Sequence, residues 1–218
     1  MEIHWLHRWD VSPAEALRLQ EALRRRVVVE KCPGEISSVA GVDMSAQGEV
    51  ARAAVVVLRF PDLALIEVAK AEAPPSFPYI PGLLAFREGP VILAACEQLQ
   101  VEPDLFIFDG HGSAHPRRMG IATHVGLFLD KPTVGCAKSP LCGAHEELPP
   151  AAGAWVPLVD GGETIGAVVR TRTGAKPVYV SPGHRIDLIT AVRYVLACCR
   201  GYRLPEPCRL AHAAASGF

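Results

Sequence analysis

With 218 residues, half of them hydrophobic and 21% charged, the chain has the length and apolar content for one domain with a sizeable core. A formal net charge of −1 excludes a global field that would draw it to nucleic acid or an anionic membrane, so any basic surface must be local. Five of the 22 basic residues are lysine, which leaves 17 arginines, the side chain suited to bidentate phosphate contact and equally the product of a biased genomic codon usage.

The seven cysteines are an odd number without C-x-x-C pairs, so neither a disulfide framework nor a zinc knuckle is signalled. Residues 1–5 lack a basic start followed by an apolar core, and no run approaches ~18 uninterrupted apolar residues; a cytoplasmic protein without membrane contact is expected.

In chain order, Ser12-Pro13-Ala14-Glu15 has the capping-box pattern with proline at the first helical position. Ala16, Leu17, Leu19, Leu23 and Val27 continue a stripe, so the helix is predicted to run to about Val29 and to break at Cys32-Pro33-Gly34. Val39-Ala40-Gly41-Val42-Asp43 reads as a strand with a carboxylate inside an apolar run. Gln47-Gly48 turns into a β-branched strand over 51–60, and Pro61-Asp62 turns back into a strand over 63–71, which gives an antiparallel meander. The loop 74–82 contains four prolines and holds Tyr79 on a stiff backbone, either out in solvent or packed on the body. Residues 83–88 read as a short helical piece and Pro90 as the start of the next helix, to about Leu99. Glu88 then precedes a helix N-terminus, where a capping carboxylate is the ordinary reading.

Leu105-Phe106-Ile107-Phe108 is a short buried strand that delivers Asp109 to its tip. The loop after it carries three glycines, two histidines and Arg117-Arg118, which suits close backbone approach to a ligand and retention of phosphate. Taken alone it is equally an ordinary strand-to-helix connection. A helix over 122–129 and a parallel strand over 133–137 lead to Lys138-Ser139 at another strand tip. A hairpin of 155–159 with 164–170 around Gly161-Gly162, a strand over 178–180, a helix over 187–199 and a proline-started tail reaching His212 complete the chain. The expected fold is a single α/β domain over 1–218, a mixed sheet of three antiparallel strands followed by parallel strands and flanked by helices.

That order brings Asp43, Glu88 and Asp109 within reach of one another. Three acids so close need a counter-ion, and carboxylates with waters and a substrate phosphate satisfy the octahedral demand of Mg²⁺. One or two such ions activate water and stabilise the leaving oxygen of a phosphodiester.

Residues 39–43, 77–88, the run Asp109-Gly110-His111-Gly112-Ser113-Ala114-His115-Pro116-Arg117, Gly135-Cys136-Ala137-Lys138-Ser139 and the late His212 together resemble the endonuclease V family, inosine-directed repair nucleases with a ribonuclease H-like fold. The resemblance implies Mg²⁺-dependent cleavage, with Mn²⁺ able to substitute, of the second phosphodiester 3′ to inosine, leaving 3′-hydroxyl and 5′-phosphate ends. Asp43 and Asp109 would ligate the metal directly and Glu88 through water or at a second site. Arg87 and Lys138 would serve phosphate and attacking water, and His115 and His212 would be catalytic-region histidines. Tyr79 would be the wedge that fills the gap left by an extruded base. Substrate contacts are assigned to Tyr79 with Pro78, Ile80, Pro81, Gly82 and Leu84, and to Gly110, Gly112, Gly120 and Ile121. His111, His124, His145 and His184 receive structural roles. The expected partner of a monomeric enzyme is inosine-containing DNA. The alternatives are an inosine-specific ribonuclease and a metal-dependent hydrolase of small phosphate esters.

Overall fold

The computed structural model of the chain describes residues 1–30, 34–47 and 50–217. Thirteen elements follow one another: α1 (Pro13–Arg24), β1 (Ser38–Gln47), β2 (Val50–Arg59), β3 (Leu65–Ala73), α2 (Leu84–Glu97), β4 (Leu105–Phe108), α3 (Ile121–Leu129), β5 (Thr133–Ala137), β6 (Trp155–Asp160), β7 (Glu163–Val169), β8 (Val178–Pro182), α4 (Leu188–Ala197) and α5 (Glu206–Ser216). The strands form one sheet in the order β3-β2-β1-β4-β5-β8-β7-β6. β1 and β4 pair in parallel, as do β4 and β5. The expectation of parallel strands beyond the meander holds only that far, because β8 returns antiparallel to β5 and carries the β6–β7 hairpin outward as a second antiparallel wing.

The central strands are buried on both faces, and their alternation assigns the faces. Ala40, Val42, Phe106 and Phe108 enter the core roofed by α2 and α3. Val39, Leu105 and Ile107 enter the one roofed by α4 and α5. No helix among the described residues is long and apolar enough to cross a membrane.

Several boundaries differ from expectation for local reasons. α1 stops at Arg24, not near Val29, because the following chain bonds elsewhere: Val28 N–H donates to His184 Nδ1 at 3.2 Å and its carbonyl accepts from Arg185 at 2.8 Å. Cys32, Pro33 and Gly48, where breaks were expected, lie outside the described residues. β3 begins at Leu65 because the turn consumes Leu63, whose φ is 60°, and Asp62, whose carboxylate takes the Arg59 guanidinium. Residues 83–99 do not form two pieces. A single helix runs through Pro90, and Glu88 sits inside it rather than before its start. The tail after Leu204 is the helix α5, opened by Pro205 with Pro207 in its first turn, where a missing N–H costs nothing.

Candidate active site

Two adjacent parallel strands end in carboxylates. The β1–β4 register pairs Val42 with Phe108, and one further step sets Asp43 beside Asp109, with Asp109 N–H donating to the Val42 carbonyl at 2.9 Å. Both side chains belong to the α5 face, since they continue the rows of Val39 and Ile107.

α5 reaches that face because residue 41 is glycine. A Cβ there would lie 2.0 Å from the carbonyl oxygen of Pro207, so only glycine admits the helix at this distance. Ser45 Oγ adds a 2.7 Å hydrogen bond to the Ala215 carbonyl. The seated helix puts His212 Nδ1 2.6 Å from Asp43 Oδ2, while Asp43 Oδ1 accepts from Met44 N–H at 2.8 Å.

Lys138, at the end of β5, pairs with Asp109, and Arg203 donates to the Lys138 carbonyl. Ligand atoms of Asp43, Asp109 and His212 all lie within 4.8 Å of one another. The donor set is two carboxylates and an imidazole without thiolate, which fits a hard divalent cation. Without a cation, Asp109 pairs with Lys138 and Asp43 is hydrogen-bonded to the His212 ring.

Glu88, on α2, is outside the cluster of Asp43, Asp109 and His212 but feels the charge of both acids. Burial, then the charge of Asp43, pushes its carboxyl up to about 8, against the opposing pull of Arg87. Asp43 is raised as well, by burial and by Asp109, against its bond to His212. A folded-state value above the ordinary 4.5 means that the stability contributed by protonated Glu88 is present below pH 4.5 and lost as pH rises through about 8. In chelator, the protein is therefore expected to lose on the order of 5 kcal/mol across that window, and Glu88→Gln to flatten the loss. Melting temperatures of both proteins against pH measure it; identical slopes would remove Glu88 as the source.

Beside the carboxylates, a cavity of about 130 Å³ lies between the proline loop and the loop after β4. Tyr79, Ile80, Pro81, Gly82, Leu84, Gly110, Gly120 and Ile121, to which the sequence reading assigned substrate contacts, line it. Tyr79 is 71% exposed, so the reading in which it packs on the body does not hold. Pro78 and Gly112 are not on the wall. Gly112 is glycine for packing, since a Cβ would meet the Pro182 carbonyl at 2.2 Å, and its N–H is taken by Ser181 Oγ at 2.9 Å.

Two sequence assignments land elsewhere. His115 lines the cavity, and its ring is committed there: Nε2 donates to the Gly82 carbonyl at 3.0 Å and Nδ1 accepts from Arg117 N–H at 3.1 Å. Burial and the Arg117 charge lower it to about 4, so it is neutral at physiological pH. Arg87 Nη1 donates 2.8 Å to the Phe77 carbonyl, which makes it a support for the proline loop.

Among the wall residues the sequence reading did not assign, two are polar. His111 has a buried Nδ1 without a partner and is lowered to about 4 by burial. Gln20 of α1 is buried; its Nε2 donates to the carbonyls of Gly82 and Met119 at 3.1 and 3.2 Å, and its Oε1 accepts from Arg117 Nε at 2.6 Å. A polar residue in line with buried Ala16 and Leu23 was the available signal for it. The other set-aside histidines are structural. His124 pairs with His7 at 2.7 Å, His184 reaches Asp130 at 3.2 Å, and His145 bonds the Glu146 carbonyl at 2.7 Å.

The sequence profile of the family described as Endonuclease V matches residues 21–213. A curated endonuclease V of Trichormus variabilis is 52% identical over 219 residues, covering 99% of each chain. The solved endonuclease V of Streptomyces avermitilis has a TM-score of 0.92 at 39% identity, over 99% of this chain and 96% of that one. That of Ciona intestinalis, in complex with a 24-mer DNA containing an inosine followed by a ribo-adenosine, has a TM-score of 0.79 at 27% identity, over 93% and 95%. A ribonuclease H-like sheet whose neighbouring strands end in carboxylates is built for phosphodiester hydrolysis, and the chain belongs to the endonuclease V family of nucleases.

Proposed function

We propose that the protein is a Mg²⁺-dependent endonuclease for inosine-containing DNA in the repair of deaminated adenine, cutting the second phosphodiester 3′ to the inosine and leaving 3′-hydroxyl and 5′-phosphate ends. The observation that carries this reading is a cavity on the scale of one base whose wall includes Gly110, the residue next to Asp109. The Ciona relative bound to inosine-containing DNA supports it.

Asp43 and Asp109 would hold the ion, with the Glu88 carboxyl as a further acid of the site. When bound, Mg²⁺ supplies an activated water and charge compensation for the leaving oxygen. His212 orients Asp43 through the Nδ1 bond. Lys138, which pairs with Asp109, would hold the scissile phosphate. Mn²⁺ substitutes for Mg²⁺, and the enzyme acts as a monomer.

Hypoxanthine presents O6 and N7 acceptors and an N1–H donor, whereas adenine has an acceptor at N1. The uncapped first turns of α2 and α3 open at Leu84 and Ile121 on the cavity wall and offer backbone N–H groups to such acceptors. An exposed aromatic at the cavity mouth favours a polymer over a small phosphate ester, because stacking into a gap needs flanking bases.

Cleavage of matched oligonucleotides with and without one inosine, in Mg²⁺, is the test, run with Tyr79→Ala. Selective cleavage by the wild type is expected. The variant loses a stacking surface worth ~1–3 kcal/mol per base and should lose more activity on paired inosine than on single-stranded inosine, with an unchanged melting temperature. Equal cleavage of the inosine-free strand would overturn the substrate assignment. An equal loss on both inosine substrates with a large drop in melting temperature would overturn the wedge.

A further inference from the structure

The cavity has a second neighbour, at its Gln20 wall. A groove of about 520 Å³ runs between the last turns of α1 and the Pro116-Arg117 corner, lined by Glu21, Arg24, Arg25, Pro116 and Arg117. It shares a wall with the cavity, because Arg117 bonds both Gln20 Oε1 at 2.6 Å and the Gly82 carbonyl at 2.7 Å.

Arg24 and Arg25 are exposed, and neither forms an ion pair with a carboxylate among the described residues. The acid among the lining residues, Glu21, acts on Arg117. Three guanidinium groups against one carboxylate leave the groove with an excess of about two positive charges on a chain whose formal net charge is −1. One cation at a helix C-terminus complements the helix dipole. A second, with a third across the groove, exceeds that need, and planar guanidinium forks match phosphate oxygens.

We propose that this arginine groove binds the phosphates on the 5′ side of the extruded base. The proposal rests on the nuclease reading above. A strand whose base occupies the cavity passes over both of its flanks. The Gly110 flank leads to Asp109, where the bond 3′ to the base is cut, so the Gln20–Arg117 flank receives the strand's 5′ continuation. The arginine excess noted in the composition thereby acquires a local use, and the ladder of contacts runs from α1 through the cavity to the β-strand tips.

The experiment uses the full-length protein and its Arg24→Gln/Arg25→Gln double variant, with two single-stranded inosine DNAs of identical 3′ flank. One has a long 5′ flank and the other begins at the inosine. Binding is measured in Ca²⁺ across a salt series, and single-turnover cleavage in Mg²⁺ at saturating protein. On the long strand, the variant should bind roughly tenfold more weakly, with a log Kd against log salt slope flatter by about 1–2, as for two lost phosphate contacts. On the truncated strand, variant and wild type should bind alike, and the saturated cleavage rates should agree on both. An equal loss on both strands, or no loss on the long one, would overturn the groove. If the wild type cleaves neither strand the nuclease reading fails by itself, while a 5′-dependent difference in binding would still support the groove.

Discussion

Asp109→Asn should reduce single-turnover cleavage in Mg²⁺ by at least ~10³-fold, equivalent to about 4 kcal/mol of transition-state stabilisation. Asparagine keeps the shape of the β4 tip and removes the charge that a divalent cation requires. The fold should survive. The lost pair is with Lys138, a side chain 41% exposed, and such pairs contribute about 0–1 kcal/mol. Against it stands relief of repulsion, since the Asp109 charge raises both Asp43 and Glu88. Melting in chelator should therefore move by no more than about 1 kcal/mol in either direction. Cleavage within tenfold of wild type at matched Mg²⁺ would remove Asp109 from the metal, and a parallel collapse of melting temperature would make its role structural.

Gly41→Ala should be severely damaging for so small a substitution. The added methyl would lie 2.0, 2.2 and 2.8 Å from the carbonyl oxygen, carbonyl carbon and Cα of Pro207, all backbone, so no rotamer relieves it and α5 must shift. Overpacking of this kind costs about 1–3 kcal/mol, and a clash with backbone belongs at the upper end. The bonds His212–Asp43 and Ser45–Ala215 depend on the same seating. Cleavage should consequently fall even well below the melting temperature. His212→Ala separates the two effects, since it should lose activity while melting near the wild type. A Gly41→Ala protein that melts and cleaves normally would show that β1 and α5 do not need this approach.

The parts legible in the sequence were those written in local pattern. Apolar runs that end in an acid announced Asp43 and Asp109, and the Gly161-Gly162 pair, with φ of 59° and 81°, announced the β6–β7 hairpin. Strand direction is not carried by periodicity, so the antiparallel return of β8 was invisible. The prolines near residue 205 were read as a tail because proline both breaks helices and starts them, and the difference here lies in what α5 packs against. Gln20 escaped because an amphipathic pattern marks a polar residue as solvent-facing; only the tertiary approach of two loops gives it partners. His115 is placed by the same approach, which puts its ring in the cavity wall. Glu88 was found, but its position within a continuous α2 depended on a helix tolerating Pro90 in its second turn.

The Gly82 carbonyl accepts from Gln20, His115 and Arg117 at 3.1, 3.0 and 2.7 Å. An oxygen with two lone pairs met by three donors has no capacity left for a fourth. Gly82 can thus hold the rim of the slot but cannot read a base through this atom, and discrimination falls to the other wall groups. The same tethers join a loop, a helix and a second loop before any substrate arrives, so the ordering entropy of the slot is spent during folding. Under the proposed function, selection would work by exclusion from a preorganised shape, and a purine that does not fit would meet a wall with little freedom to yield.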